Sequence, residues 1–445
     1  MPSRLRRTAI LGLTLCTLLA GAAHAGDRVN YLRDTEIEND IRQMAASVWR
    51  AAGLEPNDVN VYLVEDKQLN SFVAGGQAVF INTGLILRAE NPNQLIGVIA
   101  HETGHIAGGH ITRAQEAMKN ATIEGIIAMA LGAAASVAGH SGAAVLGAEG
   151  VAQRSFLQFS IAQEATADHA ALNYLDRTCQ SARGLLKFFG ILEADEALSG
   201  EHEDPWARTH PLTAQRIDYV RDHVEHARCS DARDTPTNIE LLRTVKMKLH
   251  AFLDEPSTTL AAYPESDRSE TARYARAIAY YRIPKLDRAL PLIDGLIHDF
   301  PNNPYYRELK GQMLFENGRV REAQQPYEDA VRLEPAAALL RMSLAQVYIE
   351  TNDPRLNKRA IAYLNDAART EGRDGSVWRF LAIAYGRDNQ FGMAALSLAE
   401  EALASGKKKD ALQQSTRAKQ LLAKNTPPWF RADDIHHEAE KLDED

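Results

Sequence analysis

The sequence predicts an α+β domain followed by an all-α solenoid of paired helices. Three observations predict it. A strand-like stretch and a Gly-Gly turn lie between residues 59 and 86, and His101-Glu-x-x-His105 falls on an amphipathic helical pattern. In the second half, small residues and prolines recur at a 34-residue offset. A length of 445 residues, 45% apolar and 24% charged, suits two or three globular domains. The formal charge of −9 argues against a nucleic-acid partner, and three cysteines are too few for a disulfide scaffold.

Residues 1–25 read as a removable secretory signal. Arg4, Arg6 and Arg7 precede an apolar run from Ala9 to Ala23, and Ala23-His24-Ala25 supplies the small-x-small cleavage pattern. The run is shorter than the roughly 20 residues a spanning helix needs. Cleavage near Ala25 removes three arginines and takes the charge from −9 to −12. It also leaves Cys179 and Cys229, an even pair for which an oxidising compartment permits a disulfide that spacing alone does not prove.

Residues 26–235 form the expected α+β domain. Ile37, Ile41, Met44, Ala45 and Val48 recur on one face of a helix over 34–52. VNVYLVED at 59–66 alternates like a strand, and Gly75-Gly76 separates two further short β-like runs. Pro92 interrupts a helix–helix junction, after which Leu95, Val98, Ile99 and Ile106 make a buried helical stripe running to His110. Residues 125–148 carry no Asp, Glu, Lys or Arg. Their length would span a bilayer, but His140-Ser141-Gly142 suggests a break between two helices, buried or facing a membrane as a peripheral contact.

From residue 236 to 430 the pattern is helix after helix. Pro301 and Pro335 lie 34 residues apart, as do Ala289 and Ala323, and the same offset sets Ala277 on Gly311. That is the signature of tetratricopeptide repeats, which stack into a solenoid with a concave docking face. Residues 431–445 read as an acidic tail. Trp378 and Trp429 fit the cores of stacked helices, and Lys407 to Lys409 a solvated turn.

The chemistry centres on HETGH. On a helix His101 and His105 share a face one turn apart, so both imidazoles can reach one zinc ion, and Glu102 can receive a proton from water. Gly108 begins the HExxHxxGxxH continuation, but Ile111 stands where its last histidine should be. His110, at i+5 from His105, is turned away from the ligand face of a continuing helix and reads as a helix-end histidine. A third donor must come from later in the chain. Glu164 is the best one, with Asp168 one turn on to accept an imidazole N–H; the alternative is a pair of solvated acids. His169 reads as structural.

These residues carry a resemblance. Asn70 and Phe72 before a glycine turn, TGL at 83–85, HETGH and the Glu164-x-x-x-Asp168 pair resemble the M48 family of zinc metallopeptidases. The resemblance implies a zincin-like fold, one Zn²⁺ per chain held by His101, His105 and Glu164, and Glu102 as catalytic base. With an export signal and C-terminal repeats, it implies a periplasmic endopeptidase acting on unfolded or stalled outer-membrane proteins. Contact with their assembly machinery through the repeats, and a chaperone role, are further implications. In related periplasmic proteases a Thr-His-Pro histidine approaches the metal, so His210 in RTHPL could latch the open position, or be an ordinary loop histidine. The alternative function is a repeat-based chaperone or assembly adaptor whose zinc site is latched or structural.

Overall fold

A computed structural model of the chain describes residues 31–110, 161–199 and 210–442. The expected signal, the 125–148 stretch and the last three residues lie outside the described residues.

The α+β part is a small mixed sheet backed by helices. Strands β1 (Tyr31–Leu32), β2 (Asn60–Val64), β3 (Ser71–Ala74) and β4 (Ala78–Asn82) run in the order β1-β2-β4-β3, so β3 lies at an edge. β2 pairs parallel with β4, setting Val61 beside Val79, whereas β3 returns antiparallel through the Gly75-Gly76 turn. Nearly every residue of β2, β3 and β4 is buried on both faces, as a sheet covered by other elements requires.

Helix α1 (Thr35–Ala51) begins where Asp34 accepts the Ile37 N–H, with Glu36 and Glu38 complementing the helix dipole. Ile41, Ala45, Val48 and Trp49 are fully buried in the core beneath the sheet. Each fully buried aliphatic there contributes about 1.5–3 kcal/mol relative to exposure. After the short α2 (Thr83–Arg88), Asn91 caps α3 (Pro92–Ala107), and Pro92 is not an interruption but its first residue, where a missing N–H costs nothing. Helices α4 (Ile161–Arg177) and α5 (Arg183–Ser199) pack on α3. α3 approaches α4 so closely that a Cβ on Gly104 would meet the Ala167 carbonyl oxygen at 2.7 Å. The glycine inside HETGH therefore sets the distance between the two chemistry-bearing helices. α6 (Ala214–His226) completes the layer, and a disulfide between Cys179 and Cys229 closes a 50-residue separation that includes it.

α7 (Pro236–Leu253) starts at the expected domain boundary yet serves both sides. Leu242, Val245 and Leu249 enter the core under the sheet, while Met247 and Ala251 enter the first core of the repeats. After α8 (Pro256–Ala262), helix pairs follow: α9 (Glu270–Arg282) with α10 (Leu286–Asp299), α11 (Pro304–Glu316) with α12 (Val320–Leu333), α13 (Ala338–Glu350) with α14 (Pro354–Glu371), α15 (Gly375–Arg387) with α16 (Phe391–Ala404), and α17 (Lys408–Leu421) with α18 (Pro427–Glu440). α9, α11 and α13 start 34 residues apart, the predicted period. The expected acidic tail from 431 is mostly the last helix. Ala432, Ile435 and Ala439 of α18 are buried, an apolar stripe at helical spacing that the flanking acids disguise.

The repeats grip the N-terminus of α1. Lys248 of α7 reaches Asp34 at 2.8 Å and Glu36 at 2.9 Å, and Tyr274 of α9 donates to Glu36 at 2.6 Å. Thr35 donates to Glu308 of α11, and Arg33 pairs with Glu371 at the end of α14, each at 2.8 Å. Arg373 sits against the β3–β4 turn, where any side chain at Gly75 would collide with its guanidinium.

Candidate metal centre

α3 presents His101 and His105 from successive turns, both fully buried, with their Nε2 atoms 3.1 Å apart. Glu164 descends from α4 between them. Its two carboxylate oxygens lie 3.3 Å from His101 Nε2 and 3.2 Å from His105 Nε2. His210, fully buried just before α6, brings its ring to 5.4 Å and 5.2 Å from the other two, centre to centre. One donor atom from each of His101, His105, Glu164 and His210 lies within 4.8 Å of the others. Among the described residues the sequence-predicted ligands thus converge, and the Thr-His-Pro histidine joins them.

The donor set fits a zinc ion. Three imidazole nitrogens and a carboxylate are borderline ligands in the number a tetrahedral site takes. Both carboxylate oxygens of Glu102 are buried without a hydrogen-bond partner, an expensive state for protein alone. Burial pushes the Glu102 carboxyl up to about 8, against the opposing charge of His101. His105 is pushed down to about 4 by burial, although Glu164 opposes the shift. His101 goes the other way. Burial works to lower it, but the hydrogen bonds and charges of Asp168 and Glu164 outweigh that and lift it to about 9.

The shell behind the donors contains two residues that the sequence reading did not place there. Asp168 does meet His101 Nδ1, at 2.8 Å. It is itself clasped by Arg216 of α6, whose Nη1 also lies 2.7 Å from Glu164 Oε2 and donates to the Pro211 carbonyl at 2.9 Å. Arg216 is 3% exposed. Burying an i, i+4 pair of acids demands a cation, and that demand was the available signal for it. The second is His110, which lies 3.0 Å from His105 by their Nδ1 atoms rather than turning away. The helical extrapolation fails because α3 ends at Ala107 and Gly109 is left-handed, at φ +63°. His169 stays outside, stacked near Tyr219. Glu102 lies 3.7 Å from His210 Nε2.

A buried helix-borne histidine pair with a carboxylate from a second helix defines the class of a zinc metallopeptidase site. Residues 32–224 match the family model described as Peptidase family M48, and 274–338 and 308–357 match that of the tetratricopeptide repeat. The chain therefore carries an M48 peptidase domain, zinc-dependent in this family, followed by tetratricopeptide repeats. It is similar to the "Beta-barrel assembly-enhancing protease" of Yersinia pestis, at 24% identity over 68% of this chain and 65% of that one. A "Putative beta-barrel assembly-enhancing protease" of Vibrio cholerae is 26% identical over 56% and 54%. The "Metalloprotease LoiP" of Escherichia coli is 28% identical over 38% of this chain and 64% of its own length. The matched region thus spans less than two thirds of each of these relatives.

Proposed function

We propose that this chain is a periplasmic zinc endopeptidase that cleaves unfolded or misassembled outer-membrane β-barrel proteins, with the repeats holding substrate or assembly machinery. The observation that carries the reading is the buried His101-His105-Glu164 triad beside a carboxylate, Glu102, that has no hydrogen-bond partner. The names of the relatives support the substrate class.

His101, His105 and Glu164 would hold the metal. When bound, zinc supplies a Lewis acid for the scissile carbonyl and acidifies a water. Glu102 takes the proton from the attacking water on a carboxylate oxygen and returns it to the leaving nitrogen. Its buried setting makes it a stronger base than a solvated glutamate. Asp168 holds the His101 Nδ1 proton, so the Nε2 lone pair faces the site. Among the described residues β3 is an edge strand of the sheet that packs against α3; its residues are buried, so an extended substrate backbone would add there as a strand only after displacing what covers them.

His210 is the latch of this reading: filling the fourth position, it excludes substrate until displaced. A fully buried His210 at that position also favours the second reading, an assembly adaptor whose site stays closed.

The deciding experiment measures zinc content and hydrolysis of an unfolded β-barrel protein by the full chain and by Glu102→Gln. Zinc should be retained in both, and hydrolysis should fall by about 10²–10⁴-fold in the variant. A fully metallated chain that cleaves nothing, even as His210→Ala, leaves the adaptor.

A further inference from the structure

The end of α3 folds back onto its own ligand. The His110 N–H bonds the His105 carbonyl at 3.1 Å and the Gly109 N–H bonds the Ile106 carbonyl at 3.2 Å. With Gly109 at φ +63°, this is the Schellman arrangement of a helix C-terminus. In that motif the second residue beyond the cap returns over the third-last residue of the helix, where an apolar contact commonly forms. Here those two positions are His110 and His105, and the contact is polar: their Nδ1 atoms lie 3.0 Å apart, the rings inclined at 72°. The turn leaves no room for a side chain at Gly108, where a Cβ would meet His110 Nε2 at 2.6 Å.

We propose that His110 is a positioning residue for the metal ligand His105: its Nδ1 accepts the His105 Nδ1–H and thereby holds the His105 Nε2 lone pair toward His101 and Glu164. The chemistry sets the direction of the bond. A ligating Nε2 must be unprotonated, so the proton of His105 is on Nδ1, and the facing Nδ1 of His110 must be the acceptor, with its own proton on Nε2. The two helix-borne ligands are then oriented by different means. His101 uses a carboxylate 67 positions away, and His105 uses an imidazole supplied by the cap of its own helix. The inference rests on reading His101, His105 and Glu164 as the ligands.

Asn and Leu at position 110 separate the acceptor from the shape, because Asn Oδ1 occupies the place of His Nδ1 and Leu fills the same volume with carbon. Zn²⁺ alone is titrated against a chromogenic chelator in the full-length chain. His110→Leu should bind zinc about 10–100-fold more weakly, and His110→Asn should recover most of that loss. Equal affinity of the two variants, or wild-type affinity in His110→Leu, overturns the proposal. Should His110→Leu fail to fold, ¹⁵N-histidine spectra of the unsubstituted zinc-loaded chain decide. His110 must show an unprotonated Nδ1; a protonated one overturns the assignment. A chain that binds zinc without cleaving protein would defeat the proposed function and leave this comparison intact.

Discussion

Arg216 clasps Asp168 at two points, Nε to Oδ2 at 2.6 Å and Nη2 to Oδ1 at 2.9 Å. The same guanidinium reaches Glu164 and ties down the Pro211 carbonyl beside His210. One side chain on α6 therefore links Glu164, the carboxylate that meets His101, and the segment that carries the proposed latch His210.

Lysine cannot reproduce that planar fork. Arg216→Lys should weaken zinc binding by about 10–100-fold, as loss of an outer-shell partner does. It should also destabilise the fold, by less than the roughly 3–5 kcal/mol that removing a buried partner outright costs, because the retained ammonium cannot serve both buried carboxylates. Chelator competition and urea unfolding measure the two effects. Unchanged zinc affinity would show that the fork is structural alone.

Removing the His210 imidazole tests the latch. His210→Ala should raise basal hydrolysis of an unfolded protein several-fold while zinc stays bound through the other three donors. Lower zinc content with no gain in activity would make His210 a plain ligand.

The seam between the two parts of the chain should loosen as pH rises. Burial pushes Asp40 and Glu308 each up to about 8, with Lys248 opposing and the neighbouring acids Asp34 and Glu36 adding to the shift. Unfolded, both carboxyls ionise near pH 4. Between about pH 4 and 8 the folded chain therefore holds protons that the unfolded chain has lost, so stability falls as pH rises through that window. Glu308→Gln should flatten the decline in melting temperature between pH 5.5 and 8. The other titrating groups are common to both proteins, so identical slopes would remove Glu308 from the account.

The Cys179–Cys229 bond encloses α5, His210 and α6. Replacing both cysteines by serine should cost about 4 kcal/mol on the chain-entropy estimate for a 50-residue loop. Denaturant unfolding of the double variant, and of the parent chain under a thiol reductant, should agree. A midpoint unmoved in both would mean that the unfolded chain gains nothing from release of the link.

Much of this protein was written locally. HETGH on an amphipathic stripe, Glu164 and Asp168 one turn apart, the alternation around Val61 and the 34-residue period are all periodic patterns. Periodicity survives in one dimension because a helix or strand repeats its faces along the chain. What the sequence by itself determined was the two-part architecture and the choice of His101, His105 and Glu164 as residues that the fold brings together. Tertiary structure alone decided three other things. Arg216 meets acids 48 and 52 positions earlier, a pairing set by how α6 crosses α4. The N-terminus of α1 lies against repeats that begin more than 200 residues later. His110 returns to His105 because one left-handed glycine ends the helix that a 3.6-residue period would continue. In each case the deciding quantity was a chain reversal or a helix crossing, set by packing among residues far apart in sequence, and no local pattern encodes it.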